Sequence, residues 1–221
     1  MLVVPGAGVL RVGLDAHWDA AYANGDDGRS WVQERPTESL EAVAAIAPSP
    51  DAPLIDVGGG SSRLTAALLD AGHSDITVLD VSEAALGLAR RRLGSRANMV
   101  TWLATDLLNW QPTRRYAIWH DRALLHFFTD AADRARYVDR LRSALRPGGH
   151  AIIATFAPGG PDHCSGLPVQ RSSAQEIADL LGHDCQLLGA QVREHRTPSG
   201  SVQPFTWVIA RWTGSPAARH A

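Results

Sequence analysis

A chain of 221 residues with 45% hydrophobic side chains is long enough for one α/β domain, burying about 70% or more of the surface its unfolded form exposes. Two cysteines, Cys164 and Cys185, exclude a disulfide framework and point to a reducing cytoplasm, and no Cys/His spacing suits zinc. A net charge of −2 with a pI near 6.5 excludes a general electrostatic attraction to nucleic acid or anionic lipid.

Residues 1–14 are apolar, but Pro5, three glycines and Arg11 interrupt them. The stretch lacks a basic n-region and is too short and broken to span a bilayer, so it reads as a loose leader. Residues 15–213 form the expected single domain, with 15–50 as an N-terminal helical cover and 214–221 as a disordered tail. In the cover, Asp15–Ala23 and Glu38–Ile46 predict short helices, and Pro48, Pro50 and Pro53 punctuate the approach to the first strand. That strand, Leu54–Val57, carries Asp56 and breaks into Gly58, Gly59 and Gly60. It delivers a bare backbone turn on which a ligand can lie against peptide groups.

The alternation then continues. A helix over Arg63–Asp70 precedes a second strand from Ile76 to Asp80, and Ser82 caps a helix over Glu83–Leu93, whose closing Arg90, Arg91 and Arg92 complement the dipole's negative end. Met99–Leu103 is the third strand, leading to Ala104, Thr105 and Asp106. Tyr116–Trp119 is the fourth, Asp130–Leu145 a helix, and Arg146–Gly149 a turn into a fifth strand over Ala151–Phe156. Ser173 and Glu176 make a capping box for a helix ending near Gly182. Gln186–Arg196 and Val202–Trp212, joined by Thr-Pro-Ser-Gly-Ser, alternate like a hairpin, so the last strand should run antiparallel to an otherwise parallel sheet.

Three acids at or just beyond successive strand tips suit an adenosine. Asp56 sits at the glycine turn, Asp80 can accept from both ribose hydroxyls, and Asp106 suits the exocyclic amine of adenine. On these motifs the chain resembles the class I S-adenosylmethionine-dependent methyltransferases over roughly Asp15–Arg211. Ser62 stands where that family has its third glycine. A nicotinamide-binding domain fits less well, because Arg63 takes its third glycine position and Asp106 has no dinucleotide counterpart.

The resemblance implies a Rossmann-like seven-stranded sheet in the order 3-2-1-4-5-7-6 with strand 7 antiparallel. It also implies S-adenosylmethionine as cofactor and S-adenosylhomocysteine as product. Cofactor contacts are expected from Asp56, Gly58, Gly59, Gly60, Asp80, Val81, Asp106, Leu107 and His120, beneath a cover holding Trp18, Tyr22 and Trp31, whose ring faces stabilise a sulfonium. Asp121, Arg122 and His126, just past the switch point between the first and fourth strands, are expected to face the methyl acceptor. The competing reading is structural, with Asp121 and Arg122 paired to fix the loop and His126 buried and hydrogen-bonded.

The long loop Thr155–Pro168 should shape the acceptor pocket, with Cys164 a packed residue rather than a nucleophile, and His195 should lie near its border. A metal site built from His120, His126, His163, His195 and Cys164 matches no ligand spacing. A more distant similarity to thiopurine and tellurite methyltransferases favours a small, soft nucleophile. The expected partner is therefore a small molecule, with no nucleic acid or membrane and an open oligomeric state. Protein lysine methylation, nicotinamide-dependent oxidoreduction and non-catalytic adenosyl binding are the competing functions.

Overall fold

The structure is a computed structural model describing residues 13–46 and 48–214. The leader expected over residues 1–14 falls outside the described residues except for its last two, and the tail expected over 214–221 falls outside except for its first. Helix α1 (Leu14–Tyr22) and helix α2 (Thr37–Ala45) precede strand β1 (Leu54–Val57), and each lies within one residue of the expected bounds. Helix α3 (Leu64–Asp70), β2 (Ile76–Asp80), α4 (Glu83–Leu93), β3 (Val100–Ala104), β4 (Tyr116–Arg122), α5 (Ala131–Ala144) and β5 (Leu145–Phe156) continue the alternation. A two-residue ribbon, β6 (His163–Cys164) with β7 (Leu167–Pro168), interrupts the long loop. Then come α6 (Ala174–Leu181), β8 (Cys185–Arg196) and β9 (Val202–Trp212).

Seven strands form one sheet in the order β3-β2-β1-β4-β5-β9-β8. The first five are mutually parallel, and β9 runs antiparallel to both β5 and β8, as the hairpin pattern implied. Strand order reverses between β1 and β4, and at such a switch point the connecting segments diverge and leave a crevice.

All four residues of β1 are buried, as expected of a parallel strand covered on both faces. The alternation of side chains divides the core in two. Ile55, Val57, Trp119, Leu141 and Leu145 share one face with α5, while Leu54, Ile76, Val78, Ile118 and Phe156 share the other with α2 and α3. Removing each such aliphatic side chain from water contributes about 1.5–3 kcal/mol. No helix among the described residues is long and apolar enough to cross a membrane.

Two elements differ from the sequence reading. Strand β4 runs to Arg122, three residues past Trp119. Strand β5 already begins at Leu145, so Arg146–Gly149 is a bulged part of the strand. Tyr116 pairs with Leu145 but Ile118 with His150, and Gly148, at φ +76°, absorbs the excursion. The Pro-Gly-Gly run has the chemistry of a turn. Pairing with β4 overrides it, and Arg115 fastens the join by donating from Nη1 to the carbonyls of Arg142 and Leu145.

The capping box of α6 is present, with Ser173 Oγ accepting from Glu176 N–H and the Glu176 carboxylate accepting from Ser173 N–H. Helix α1 has no side-chain cap of its own and is held by tertiary contact. Its Asp19 accepts from Ser82 Oγ–H at 2.6 Å and from Ala84 N–H at 3.1 Å, so the cover is tied to the start of α4.

Candidate active site

The turn after β1 is shaped so that only glycine fits. A Cβ on Gly59 would lie 2.6 Å from Asp56 Oδ2 and 2.7 Å from Val78 Cγ1, and one on Gly58, at φ +67°, would lie 2.8 Å from the Leu124 side chain. Gly58 N–H donates to the Leu79 carbonyl at 2.7 Å, binding the turn to the end of β2. Gly60, at φ +51°, lies against the Tyr22 hydroxyl and Asp80. Ser62 explains its departure from glycine, since its Oγ accepts from Leu64 N–H at 3.1 Å and so satisfies a free donor at the start of α3.

One cavity spans the strand tips. Asp56, Gly58, Gly59, Asp80, Val81, Asp106, Leu107 and His120 line it, together with Trp18, Tyr22, Trp31 and Arg122. Every residue expected to contact cofactor lines it except Gly60, which stands just behind. Asp80 Oδ1 accepts from Ser82 N–H at 2.8 Å, and burial pushes the carboxyl up to about 6 against the hydrogen bonds from Ser82 and Gly60. Asp106 Oδ1 accepts from Leu108 N–H at 2.9 Å, which aims the carboxylate at the cavity from the turn after β3.

The cover closes on this cavity through aromatic edges. Trp18 stands edge-on to Trp31 at 5.9 Å and to Phe127 at 5.2 Å, and Trp31 Nε1 donates to the Tyr22 hydroxyl at 3.0 Å. Burial, with Asp80 nearby, raises the Tyr22 phenol well above its ordinary value. His195 Nε2 donates to the Ser30 carbonyl at 2.6 Å, so the terminal hairpin anchors the cover's far end and His195 itself stays outside the cavity.

Of the three residues expected at the acceptor, only Arg122 lines the cavity. Successive β4 side chains alternate, so placing His120 and Arg122 toward the crevice turns Asp121 onto the opposite face. There Asp121 is fully buried. It accepts from Tyr137 Oη–H at 2.8 Å, from Leu124 N–H at 2.9 Å and from Leu125 N–H at 3.2 Å, and burial pushes its carboxyl up to about 7.

His126 also lies off the cavity lining. It is fully buried, stacked on Phe156 at 4.6 Å, with neither ring nitrogen bonded, and burial, aided by the Arg122 charge, pushes it down to about 3. Nor do Asp121 and Arg122 pair with each other, as the structural alternative had them. Arg122 Nη1 donates to the Trp31 carbonyl at 3.0 Å and its guanidinium lies 5.2 Å from the Phe205 ring.

Several site residues were missed by the sequence reading. Ser39 of α2 meets His120 Nε2 at 3.0 Å. Arg92, read as a helix-end charge, donates from Nη1 to the Ser61 carbonyl at 2.6 Å and from Nη2 to Asp26 at 2.7 Å, joining the glycine turn to the cover. Burial works to raise the Asp26 carboxyl, but the hydrogen bonds from Arg92 and Ser61 outweigh it and hold it low. The period of the strand was the available signal for Asp121; for Ser39, Asp26 and Arg92 there was none, because their partners are remote in sequence. In the long loop, Cys164, Leu167 and Pro168 line the cavity's outer end, held by the tight turn through Ser165 (φ +51°) and Gly166 (φ +76°). Burial pushes the Cys164 thiol up to about 11, as suits a packed residue.

A parallel sheet with a reversed last strand, a glycine turn at its switch point and acids at or just past three neighbouring tips is an α/β arrangement whose crevice suits a nucleoside. The orphaned Asp56 Oδ2, buried beside that turn without a partner, fits a cationic amino group such as that of a methionyl moiety. Residues 54–149 match a family described as a methyltransferase domain. Over that stretch the chain carries a methyltransferase domain, and its strand order is that of the class I S-adenosylmethionine-dependent methyltransferases.

The 1,6-didemethyltoxoflavin-N1-methyltransferase of Burkholderia thailandensis, solved with 1,6-didemethyltoxoflavin and S-adenosylhomocysteine, shares the fold. It is 22% identical at a TM-score of 0.74, over 96% of this chain and 94% of that one. The N-methyltransferase NodS of Bradyrhizobium japonicum, solved with S-adenosylhomocysteine, is 16% identical at a TM-score of 0.67, over 90% and 100%. TehB of Haemophilus influenzae is 16% identical at 0.65, over 82% and 63%. No curated protein matches by sequence.

Proposed function

We propose that this protein is an S-adenosylmethionine-dependent methyltransferase that moves a methyl group to a sulfur, oxygen or nitrogen nucleophile of a small molecule by in-line displacement. Bound in the crevice, S-adenosylmethionine supplies a methyl group already activated by its sulfonium charge. The protein's task is then alignment and exclusion of water. Asp80 accepts from the ribose hydroxyls, Asp106 from the adenine amine, and Val81 and Leu107 supply apolar walls to the base. The peptide groups of Gly58 and Gly59 admit the methionyl tail, with Asp56 taking its amino group.

The observation that carries this reading is the meeting of Asp56, Asp80, Asp106 and the glycine turn in one cavity beneath Trp18 and Trp31. A small acceptor is supported by the aromatic closure of the outer end and by a net charge of −2, which gives no general attraction to nucleic acid. It is supported too by the 1,6-didemethyltoxoflavin bound to the Burkholderia enzyme.

A ligand bound only by the folded state raises apparent stability as RT ln(1 + [L]/Kd). Thermal shift should therefore show stabilisation by S-adenosylhomocysteine and none by NADH. Stabilisation by NADH alone would overturn the proposal. Release of S-adenosylhomocysteine during incubation with candidate acceptors then separates an enzyme from an inert binding module.

A further inference from the structure

Arg122 stands apart from the other charged groups around the cavity. Its Nη1 donates to the Trp31 carbonyl, its flat face meets Phe205, and its Nη2 is buried with no hydrogen-bond partner. No carboxylate among the described residues forms an ion pair with it, and the acids that influence it, Glu38 and Asp56, are engaged elsewhere. Burial lowers the guanidinium to about 10, which leaves it cationic near neutrality. A half-buried cation whose buried Nη2 has no acceptor, at the rim of a cavity, is incomplete without an anion.

Among the described residues, the groups named around Arg122 offer no free base. Asp121 and His126 face away, and His120 has one ring nitrogen on Asp56 and the other on Ser39. The Cys164 thiol and the Tyr22 phenol are both raised by burial and stay protonated near neutrality. Trp18, Trp31, Phe127, Leu167 and Pro168 add ring and aliphatic surfaces that suit a planar molecule.

Resting on the methyltransferase reading, we infer that the acceptor is a planar organic acid bound as its delocalised anion, with the charge seated on the Arg122 guanidinium. Its carboxylate, acidic phenolate or deprotonated heterocycle arrives already ionised, so no base is needed. The acceptor's lone pair forms the bond to the methyl carbon while the carbon–sulfur pair returns to sulfur, giving a neutral methylated product and a neutral thioether with no proton moved. A protonated amine would meet two positive charges, Arg122 and the sulfonium. A neutral alcohol would find no free base among those groups to take its proton.

The test uses three probes of one shape, 2-naphthoate, 2-naphthamide and 2-naphthylmethylamine, titrated calorimetrically into the full chain with and without saturating S-adenosylhomocysteine. The naphthoate should bind at least tenfold more tightly than the amide, and the amine most weakly. Arg122→Met should abolish that preference while S-adenosylhomocysteine affinity stays within threefold, and Arg122→Lys should restore part of it. Equal binding of acid and amide by the natural protein, no binding of the acid, or a preference that survives Arg122→Met would each overturn the inference. Failure of S-adenosylhomocysteine itself to bind overturns instead the reading beneath it, and the titrations without it keep the two failures apart.

Discussion

Asp56 and His120 stand directly opposite each other on the neighbouring strands β1 and β4, with the carboxylate accepting from the ring Nδ1 at 2.7 Å. Both are buried, and Ser39 completes the chain from α2. The pair therefore joins the cofactor turn, the switch point and the base of the cover. His120→Ala leaves the Asp56 carboxylate and the Ser39 hydroxyl buried without partners. A loss of about 1–3 kcal/mol in denaturant unfolding is expected, with weaker S-adenosylhomocysteine binding because Asp56 is no longer aimed. Unchanged stability would show that the pair is not held as described.

Asp80 gives a pH dependence with two opposite signs. In the proposed binding mode the ribose hydroxyls need the carboxylate, and with burial holding it up at about 6, S-adenosylhomocysteine affinity should fall as pH drops below that point. Folding of the unliganded protein responds the other way. A carboxyl raised above its unfolded value of 3.8 adds stability that is fully present below pH 3.8 and is lost as pH rises through about 6. Calorimetric titration from pH 5 to pH 8, set against Asp80→Asn, checks both. The variant should bind about tenfold or more weakly, with the acid-side slope flattened.

Tyr137 donates to buried Asp121 and accepts from Trp119 Nε1 at 3.1 Å. Tyr137→Phe removes both bonds at almost constant volume. It should cost about 1–3 kcal/mol of stability while leaving S-adenosylhomocysteine affinity nearly unchanged. A loss of ligand affinity at full stability would return Asp121 to the site.

Gly59→Ala forces a methyl group onto Asp56 Oδ2 and Val78, both within 3 Å of its ideal position. Overpacking of this kind costs about 1–3 kcal/mol, and here it also displaces the carboxylate beside the turn. Thermal unfolding should fall by several degrees, and stabilisation by S-adenosylhomocysteine should disappear.

Arg92→Met cuts the link from α4 to the Ser61 carbonyl and to Asp26 while keeping the aliphatic stem. A partly buried charge-assisted bond of this type is worth roughly 1.5–3 kcal/mol, less what solvent screening removes. A threefold to tenfold weakening of S-adenosylhomocysteine binding is expected by calorimetry, with α4 itself intact by circular dichroism.

The strand–helix alternation, the glycine turn and the acids at Asp56, Asp80 and Asp106 were legible in the sequence because each is a local signal, and the strand order followed from the family resemblance that those motifs carry. Apolar runs, turn residues and strand ends are all written within a few neighbouring positions, and right-handed crossovers leave few ways to assemble them. The chemistry of Trp119-His120-Asp121-Arg122 was not legible as a block. Residue types were evident there, but only the sheet decided that His120 and Arg122 face the crevice while Asp121 meets Tyr137 on the other side. Likewise only the layers standing against each other brought Ser39 to His120 and Arg92 to Asp26. Those partnerships join residues tens of positions apart, whose encounter depends on how whole helices settle on the sheet, and no short-range pattern encodes that.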